Sequence, residues 1–414
     1  MKTITPLDGI KVVEFAWMAA GPIMGAWLGG WGATIVRVES HTRIDHTRLS
    51  SPCKDDIPGL DRSAYFANWS SSKYGISLDL TRDRGRDIAR RLITWADILT
   101  ESFSAGQMAD WGLDYEEVCK LKPDIIYLST NQMGQTGPYS SFAGYGHHAA
   151  ALSGITEISG WPDRDPSPPR GVYIDYVAPP FGLSAILACL DYRARTGKGA
   201  YIDLAQVETA LQFIAPVLMD YGINGRIAGR NGNSLSYTAP HGVYPCKGQD
   251  NWVAITVFND EEWLALRGAM GNPDWANDSK FGTLLGRKEH EDELDALMGN
   301  WTIENQKEDL EKVLQSVGIA AHAVTKCGEL LDDPQLAHRQ HFVKLDHPVI
   351  GIQSYEVPPF TMSKTSSSIF RAPCLGEHNE YVYKEILGLS DDEISELMSE
   401  RVITTEADLP EAYI

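Results

Sequence analysis

Residues 10–39 contain two short apolar stretches, Ile10-Lys11-Val12-Val13-Glu14-Phe15 and Thr34-Ile35-Val36-Arg37-Val38-Glu39, separated by Ala20-Gly21-Pro22 and an apolar run to Leu28. The two outer stretches are rich in β-branched residues and predict buried strands. The run between them predicts a helix that begins at a turn. The three segments therefore predict a β-α-β unit, which normally joins neighbouring parallel strands.

The same alternation continues through the next hundred residues. Helices are predicted at 81–94 and 113–120, and strands at 96–100 and 125–129. Helices that alternate with short β-branched strands are typical of a doubly wound sheet with mostly parallel strands. We therefore predict an α/β fold built around a large Rossmann-like domain.

The middle of the chain has a different character. The Gly- and Asn-rich segment from Gly225 to Ser236 predicts an exposed connection and a domain boundary. Hairpin strands are predicted at 242–244 and 252–257, helices at 260–270 and 288–315, a strand at 342–345 and a final helix at 391–398. We predict a large domain over residues 1–224, a smaller α+β domain with its linkers over 225–331, and a C-terminal segment over 332–414.

Charge and cysteine usage exclude several classes of protein. The 414 residues carry a formal net charge of −20, which opposes binding to nucleic acid phosphates and to anionic membranes. The six cysteines are scattered singly, without the paired spacing of a zinc site or a disulfide framework. We expect no metal and, because no apolar signal segment or membrane-length run is present, a cytoplasmic protein.

Asp175 is the candidate catalytic residue. It lies in Gly171-Val172-Tyr173-Ile174-Asp175-Tyr176-Val177-Ala178, directly before an apolar, helix-like run that ends near Arg195-Thr196-Gly197. A carboxylate at a junction between a strand and a helix is well placed to act as a nucleophile. The alternative is that Asp175 is a helix N-cap, since Asp is among the residues preferred there.

Two other patterns are weaker. The first turn has Pro22 where a dinucleotide-binding motif requires glycine, so nicotinamide binding is not favoured although Glu39 ends the second strand. The adjacent His147 and His148 lack the spacing of a metal motif, and neighbouring side chains point in different directions. Packed or surface histidines explain this pair better than a metal site.

A longer series of segments resembles the class III CoA-transferases. It begins with residues 6–15, Ala20-Gly21-Pro22 and residues 32–39, and continues nearly to the end of the chain in order. The further matching segments are Lys73 with Ser77-Leu78-Asp79-Leu80, Glu101-Ser102-Phe103, Gly112-Leu113, Gly134-Gln135-Thr136-Gly137-Pro138-Tyr139, Ser153-Gly154, Arg195-Thr196-Gly197-Lys198-Gly199, Asp332-Asp333-Pro334-Gln335-Leu336 with Arg339, and Ala372-Pro373-Cys374-Leu375-Gly376-Glu377-His378-Asn379.

The resemblance implies an architecture and an assembly. Both ends of the chain would form the large domain, the middle would form the small one, and two ring-shaped subunits would interlock. The partner would be a second copy of the chain or a related subunit. A non-catalytic subunit of such a pair is one alternative, although the chain retains Asp175.

The resemblance also implies a reaction and a set of contacts. Asp175 would carry CoA as an aspartyl-CoA thioester during transfer from an acyl-CoA donor to a carboxylic acid, with CoA as a substrate and no tightly bound cofactor. Residues at matching positions would contact CoA: Met18, Ala20, Ser40, Leu78, Ser102, Phe103, Gln107 and Trp111. Ser40 and Asp110 replace basic residues of some relatives, which leaves the phosphate contacts open.

Substrate choice is less defined by the sequence. Tryptophans 17, 27, 31, 69 and 161 lie near the predicted turns and would suit a bulky, aromatic or dicarboxylic acid such as benzylsuccinate, with succinyl-CoA as donor. Formyl-CoA exchange is disfavoured because Asn233-Ser234-Leu235-Ser236-Tyr237 replaces a run of glycines. An acyl-CoA racemase that abstracts an α-proton is the main alternative, although Tyr145 stands where racemases carry a histidine.

Overall fold

The computed structural model describes residues 5–169 and 173–410. The strands of this part of the chain are β1 Lys11–Glu14, β2 Thr34–Glu39, β3 Tyr74–Ser77, β4 Ile98–Glu101, β5 Ile126–Asn131, β6 Ala200–Ala205, β7 His241–Pro245, β8 Trp252–Thr256, β9 Ala320–Ala323, β10 Phe342–His347 and β11 Gly351–Glu356. The α-helices are α1 Ala20–Gly30, α2 Ala64–Trp69, α3 Asp83–Trp95, α4 Gln107–Asp110, α5 Tyr115–Leu121, α6 Gly146–Leu152, α7 Ile155–Ile158, α8 Tyr173–Thr196, α9 Gln206–Phe213, α10 Ala215–Asn224, α11 Asp260–Ala269, α12 Leu284–Glu289, α13 Glu291–Thr302, α14 Lys307–Ser316, α15 Cys327–Leu330, α16 Pro334–His338 and α17 Asp391–Ser399.

Two compact units can be distinguished among the described residues. Those within Met1–Ile155, Pro169–Arg226 and Pro334–Ile414 form the first unit, and those within Thr156–Pro168 and Ile227–Asp333 form the second. The segment Thr156–Pro168 therefore belongs to the second unit, whereas the sequence prediction placed it in the large domain. Its connection is visible in an ion pair, at 2.9 Å, between Glu157 and Arg230.

A six-stranded parallel sheet forms the centre of the first unit as described, with the order β3-β2-β1-β4-β5-β6. The strands are almost continuously apolar because helices cover both faces, and Val12, Val13, Ile35 and Val36 are completely buried. This sheet confirms the predicted α/β class. An antiparallel pair, β10 and β11, also belongs to this unit.

Helices pack against the sheet through faces that their sequences define. Helix α3 buries Ile88, Ala89, Leu92 and Ile93 at helical spacing, whereas its charged side chains face outward. Helix α1 is apolar on nearly all sides and is almost entirely buried. It packs closely against α8, where a Cβ atom on Gly182 would overlap the sulfur of Met24.

The second unit contains the predicted small α+β fold. Strands β7, β8 and β9 form an antiparallel sheet, and its core includes the buried side chains of Trp263 and Phe281. The predicted β7–β8 hairpin is confirmed. The single helix predicted over 288–315 is wrong, because α13 ends at Thr302 and the Asn305 side chain donates a hydrogen bond of 2.8 Å to the Trp301 carbonyl.

Candidate active site

The predicted CoA contacts follow the carboxyl ends of neighbouring parallel strands. Met18 and Ala20 follow β1, Ser40 follows β2, Leu78 follows β3, and Ser102 and Phe103 follow β4. Because β1 lies between β2 and β4, the connections from β1 and β4 leave the sheet on opposite sides of one switch point. Such a point opens a crevice at the carboxyl edge, which is the usual binding site in open α/β sheets.

The turn after β1 is joined to β4 by the side chain of Ser102. The Trp17 N–H donates a hydrogen bond of 2.8 Å to Ser102 Oγ, and the Ser102 hydroxyl donates one of 2.9 Å to the Trp17 carbonyl. Three aromatic rings extend from this junction. Trp17 and Phe103 are 5.5 Å apart, Phe103 and Trp111 are 5.3 Å apart, and both pairs meet edge to face.

On the other side, the same turn is joined to a buried cluster of charges. The cluster contains Glu14, Arg37, Glu39, Asp45, Arg48, Asp61 and Lys73. The Met18 N–H donates a hydrogen bond of 3.1 Å to Asp45 Oδ2, and Arg37 Nη1 donates one of 2.9 Å to the Ala16 carbonyl. The backbone of residues 16–18 is therefore held by side chains from both neighbouring strands and their loops.

Burial and ion pairing set the charge states in this cluster. Burial opposes ionisation of Glu39, but Arg48 and Arg37 outweigh it and hold the pKa of this carboxyl at about 2. Burial lowers the pKa of Lys73 to about 8, although the Glu14 carboxylate 2.8 Å away acts in the opposite direction. The buried ion pairs of this cluster thus hold the backbone at the carboxyl edge of the sheet.

Asp175 lies inside the first turn of α8 rather than on a strand. The described helix begins at Tyr173, so Asp175 is also not the flanking N-cap residue, while the preceding Gly171 and Val172 lie outside the described residues. Its side chain is buried, and burial raises the pKa of Asp175 to about 6 although the side chain of Gln206 and its own N–H favour the charged form. The strand prediction for this segment was wrong.

Gln206 was missed by the sequence reasoning. It is the first residue of α9, directly after β6, and it is buried with 7% of its surface exposed. Strand β6 itself was not predicted, because Ala200-Tyr201-Ile202-Asp203-Leu204-Ala205 alternates only weakly between polar and apolar residues. Asp175, through Gln206, therefore lies near the carboxyl end of β6 at the same edge as the other candidate residues.

The geometry agrees with the comparison to known families. The family model for CoA-transferase family III matches residues 7–379. The chain belongs to CoA-transferase family III. It is 32% identical over 400 residues to succinyl-CoA–D-citramalate CoA-transferase of Chloroflexus aurantiacus, covering 96% of this chain and 98% of that protein. It is 33% identical to succinate–glutarate CoA-transferase of Agrobacterium fabrum, covering 92% of this chain and 96% of that protein.

A solved structure supports the same assignment. A CaiB/BaiF family protein from Brucella suis superimposes with a TM-score of 0.85 and 31% sequence identity, covering 92% of this chain and 99% of that one. The enzyme is accordingly a CoA-transferase. The predicted family, fold class and enzyme class are therefore confirmed.

The other predicted CoA contacts of the transferase lie in different surroundings. Ser40 is buried, and its hydroxyl is hydrogen-bonded to the hydroxyls of Thr42, at 2.7 Å, and Thr404, at 3.3 Å. Leu78 packs into the core, and its N–H donates a hydrogen bond of 2.6 Å to the Glu39 carbonyl. Gln107 begins α4 and is half-buried. The roles of these residues in binding CoA stay predictions.

Glu101 is a second buried carboxyl at this edge of the transferase. Its oxygens accept hydrogen bonds from the Phe103 N–H at 2.8 Å and from the Gln135 side-chain amide at 3.2 Å. Burial raises the pKa of Glu101 to about 7, against the hydrogen bonds from Ser129 and Phe103 that lower it. Glu101 thus holds the loop that carries Ser102 and Phe103.

Aromatic residues line a cavity beside Tyr176, the residue that follows Asp175 in the chain. Tyr176 accepts a hydrogen bond of 3.1 Å from the indole N–H of Trp69, and their rings meet edge to face. A cavity of about 90 Å³ lies between Trp27, Trp69, Tyr176 and Glu356. Two of the five tryptophans singled out in the sequence therefore line this cavity, whereas Trp31 is buried against Phe360.

The histidine pair has a local structural explanation. His148 Nδ1 accepts a hydrogen bond of 3.0 Å from the Tyr145 N–H, and both residues are exposed at the beginning of α6. Within residues 5–169 and 173–410, no group of three or more His, Cys, Asp or Glu side chains is arranged to hold a metal ion. The structure thus explains His148 by a contact within the turn.

Helix α8 is the one helix of the described residues that is long and apolar enough to cross a membrane by length and composition. It nevertheless buries Ile174, Val177, Ala178 and Ile186 inside the first unit. A single helix of this kind is weak evidence, because core helices of globular proteins meet the same criterion.

Proposed function

We propose that the enzyme transfers CoA from succinyl-CoA to a short carboxylic acid through Asp175. The observation that carries this proposal is a buried carboxylate that forms no salt bridge among the described residues. A buried acid without a cationic partner costs free energy, and such a group marks a reactive site when it lies at a ligand crevice. Its position in the first turn of α8 also favours a negative charge.

The reaction proceeds through two acyl exchanges. The Asp175 carboxylate attacks the donor thioester carbonyl and expels CoA thiolate, which leaves a mixed anhydride. The thiolate then attacks the Asp175 carbonyl, releases succinate and forms an aspartyl-CoA thioester. The acceptor carboxylate attacks this thioester, and the expelled thiolate attacks the acceptor carbonyl to form the new acyl-CoA and regenerate Asp175.

Two properties of the site favour this chemistry. With a pKa of about 6, Asp175 is ionised at neutral pH yet only weakly solvated, which makes it a better nucleophile than an exposed carboxylate. The enzyme needs no external energy source, because each step exchanges one activated acyl group for another. We therefore propose CoA as a substrate and no tightly bound cofactor.

The choice of donor and acceptor is inferred from relatives. The citramalate and glutarate CoA-transferases named above carry succinyl-CoA or succinate in their names. The same holds for the beta subunit of succinyl-CoA–L-malate CoA-transferase of Chloroflexus aurantiacus, which is 30% identical over 97% of this chain and 99% of that one. Their partner acids are citramalate, malate and glutarate, which favours a small dicarboxylic acceptor. Benzylsuccinate remains the bulkier alternative, for which the aromatic cavity beside Tyr176 is the supporting feature.

An exposed apolar helix supports assembly into a dimer. No residue of α10 is buried, although it carries Leu218, Met219, Tyr221 and Ile223. Contiguous apolar surface of this kind is characteristic of protein interfaces. We propose an interlocked dimer of two copies of the chain, with a related subunit as the alternative partner. The domain boundaries at residues 224 and 331 and a cytoplasmic location are further proposals.

An exchange assay tests the function. The purified enzyme is incubated with succinyl-CoA and, separately, glutarate, L-malate, citramalate or benzylsuccinate, and the new CoA thioesters are identified by mass spectrometry. Asp175→Ala is expected to abolish exchange, while Asp191→Ala, an exposed carboxylate on the same helix, retains it. Undiminished exchange by a folded Asp175→Ala variant would overturn the mechanism.

The same assay separates transfer from racemisation. In D₂O without an acceptor acid, a racemase introduces deuterium at the α-carbon of the acyl group, whereas a transferase leaves that carbon unlabelled. Deuterium uptake that depends on Asp175, without formation of any new thioester, would favour the racemase.

A further inference from the structure

The turn between β1 and α1 contains a residue in an unfavourable backbone conformation. Met18 has φ of +65°, in the left-handed region that side chains with a Cβ rarely adopt. Residues in such conformations persist only where the surroundings enforce them, and they concentrate at functional sites. The contacts of Met18 therefore identify what enforces it.

The enforcing contact comes from Asp45, a completely buried residue that no sequence motif singled out. Its Oδ2 accepts the Met18 N–H at 3.1 Å and also pairs with Arg37, while its Oδ1 accepts the Thr47 N–H at 2.9 Å. Arg37 in turn binds the carbonyl of Ala16. The Asp45–Arg37 pair thus holds the turn by hydrogen bonds to the backbone of residues 16 and 18, on the side opposite to Ser102.

The turn also presents its side chains outward. Along residues 12–26 every residue is buried except Trp17 and Met18, which are partly exposed. They lie at the carboxyl edge of the sheet, where Trp17 meets the ring of Phe103. The hydrogen-bonded backbone of residues 16–18 therefore fixes the direction in which these two side chains leave the sheet.

We propose that Asp45 is a positioning residue for CoA, which holds Met18 in its left-handed conformation so that Trp17 and Met18 form a preorganised wall of the CoA site. This inference rests on the proposed function. Preorganisation raises affinity because the bound geometry exists before the ligand arrives. Loss of the contact would let the turn relax to a more favourable φ and would weaken CoA binding without removing any group that touches CoA.

Calorimetric titration of the full-length protein with free CoA tests the proposal. Asp45→Asn is expected to raise the Kd for CoA about tenfold, because a neutral amide holds Arg37 and the Met18 N–H less strongly than the carboxylate does. Asp61→Asn is the matched control, because Asp61 belongs to the same buried ion cluster but contacts Arg48 and not the turn. We expect the control to change the Kd less than about threefold.

Two further variants separate positioning from a loss of folding. Asp45→Glu retains the charge opposite Arg37 and displaces the oxygen that accepts the Met18 N–H, so it is expected to weaken CoA binding as Asp45→Asn does. In a Met18→Gly background, glycine adopts the left-handed conformation without strain, and adding Asp45→Asn is expected to change the Kd less than about threefold.

The outcomes are distinguishable. Equal weakening by Asp45→Asn and Asp61→Asn, or unchanged CoA binding by a folded Asp45→Glu variant, would overturn the positioning role. A loss from Asp45→Asn that is equally large in the Met18→Gly background would also contradict it. If the wild-type protein itself binds no CoA, the proposed function fails, independently of Asp45.

Discussion

Asp175 combines an ordinary side chain with an unusual setting, and its ionisation should control the reaction. Because the nucleophile must be the carboxylate and burial raises its pKa to about 6, kcat/KM is expected to fall about tenfold per pH unit below that value and to level off above it. The pH dependence of kcat/KM for succinyl-CoA, measured from pH 5 to 9, checks this prediction.

Two variants test whether the fall of kcat/KM at low pH, the acidic limb of the pH profile, reports the ionisation of Asp175. Gln206→Met removes a neighbour that favours the charged form of Asp175, so the limb should move to higher pH. Glu101→Gln removes the second buried carboxyl, whose pKa is about 7, and should leave the limb near 6. If the acidic limb of the pH profile vanished in Glu101→Gln and stayed in place in Gln206→Met, the titrating group would be Glu101 and not Asp175.

The same burial predicts that Asp175 reduces stability at neutral pH. A folded-state pKa of about 6 against the ordinary 3.8 means that the penalty is absent below pH 3.8 and fully present above 6. The difference corresponds to about 3 kcal/mol. Asp175→Asn should therefore raise the free energy of unfolding at pH 8 by about 1–3 kcal/mol, measured by urea denaturation, and should bring no gain at pH 4. Equal gains at both values would contradict this origin.

At the level of elements, close packing of α1 on α8 fixes the position of the helix that carries Asp175. Gly182→Ala should lower the free energy of unfolding by about 1–3 kcal/mol, because the added methyl group overlaps Met24. Gly268→Ala is the matched control on the exposed side of α11, where nothing lies within 4 Å of the new Cβ, and it should be neutral or slightly stabilising. Thermal unfolding of both variants compares them, and similar midpoints would refute this packing constraint.

The elements also show how far sequence reasoning reaches. Apolar β-branched strands such as β1, β2 and β5 were predictable because burial on both faces requires such residues. Strand β6 and the helical position of Asp175 were not, because the half-exposed β6 mixes polar and apolar residues and Tyr173-Ile174-Asp175 favours a strand by composition alone. Tertiary packing overrides such local preferences.

In the candidate site, too, some residues were predictable from the sequence and others were not. The family motifs pointed to Asp175 and to the turns after β1 and β4, which the sheet brings to one edge. Asp45 and Gln206 act through contacts with Met18 and Asp175, which are distant in sequence, so no local pattern indicated their roles. Glu101 lies in a segment that matched the family, but its burial and its contact with the distant Gln135 were not indicated by that match. Long-range hydrogen bonds of this kind become visible only when the chain is folded.

At the level of the whole molecule, α10 provides the clearest test of assembly. The wild-type protein should have twice the mass of the chain in light scattering coupled to size-exclusion chromatography. Met219→Lys combined with Ile223→Lys should disrupt assembly, because charges would enter an apolar interface, whereas Leu264→Lys on the exposed side of α11 should not. A wild-type protein that is monomeric at micromolar concentration would contradict the proposed dimer.

The central claim is that Asp175 becomes covalently bonded to the sulfur of CoA during each cycle. Intact mass spectrometry after incubation with succinyl-CoA, followed by borohydride reduction and peptide mapping, tests this most directly. We predict an adduct whose added mass equals CoA less one water before reduction, a modification confined to the peptide that contains Asp175, and neither in Asp175→Ala. Efficient CoA transfer without any modification of Asp175, or with modification at another residue, would contradict the account.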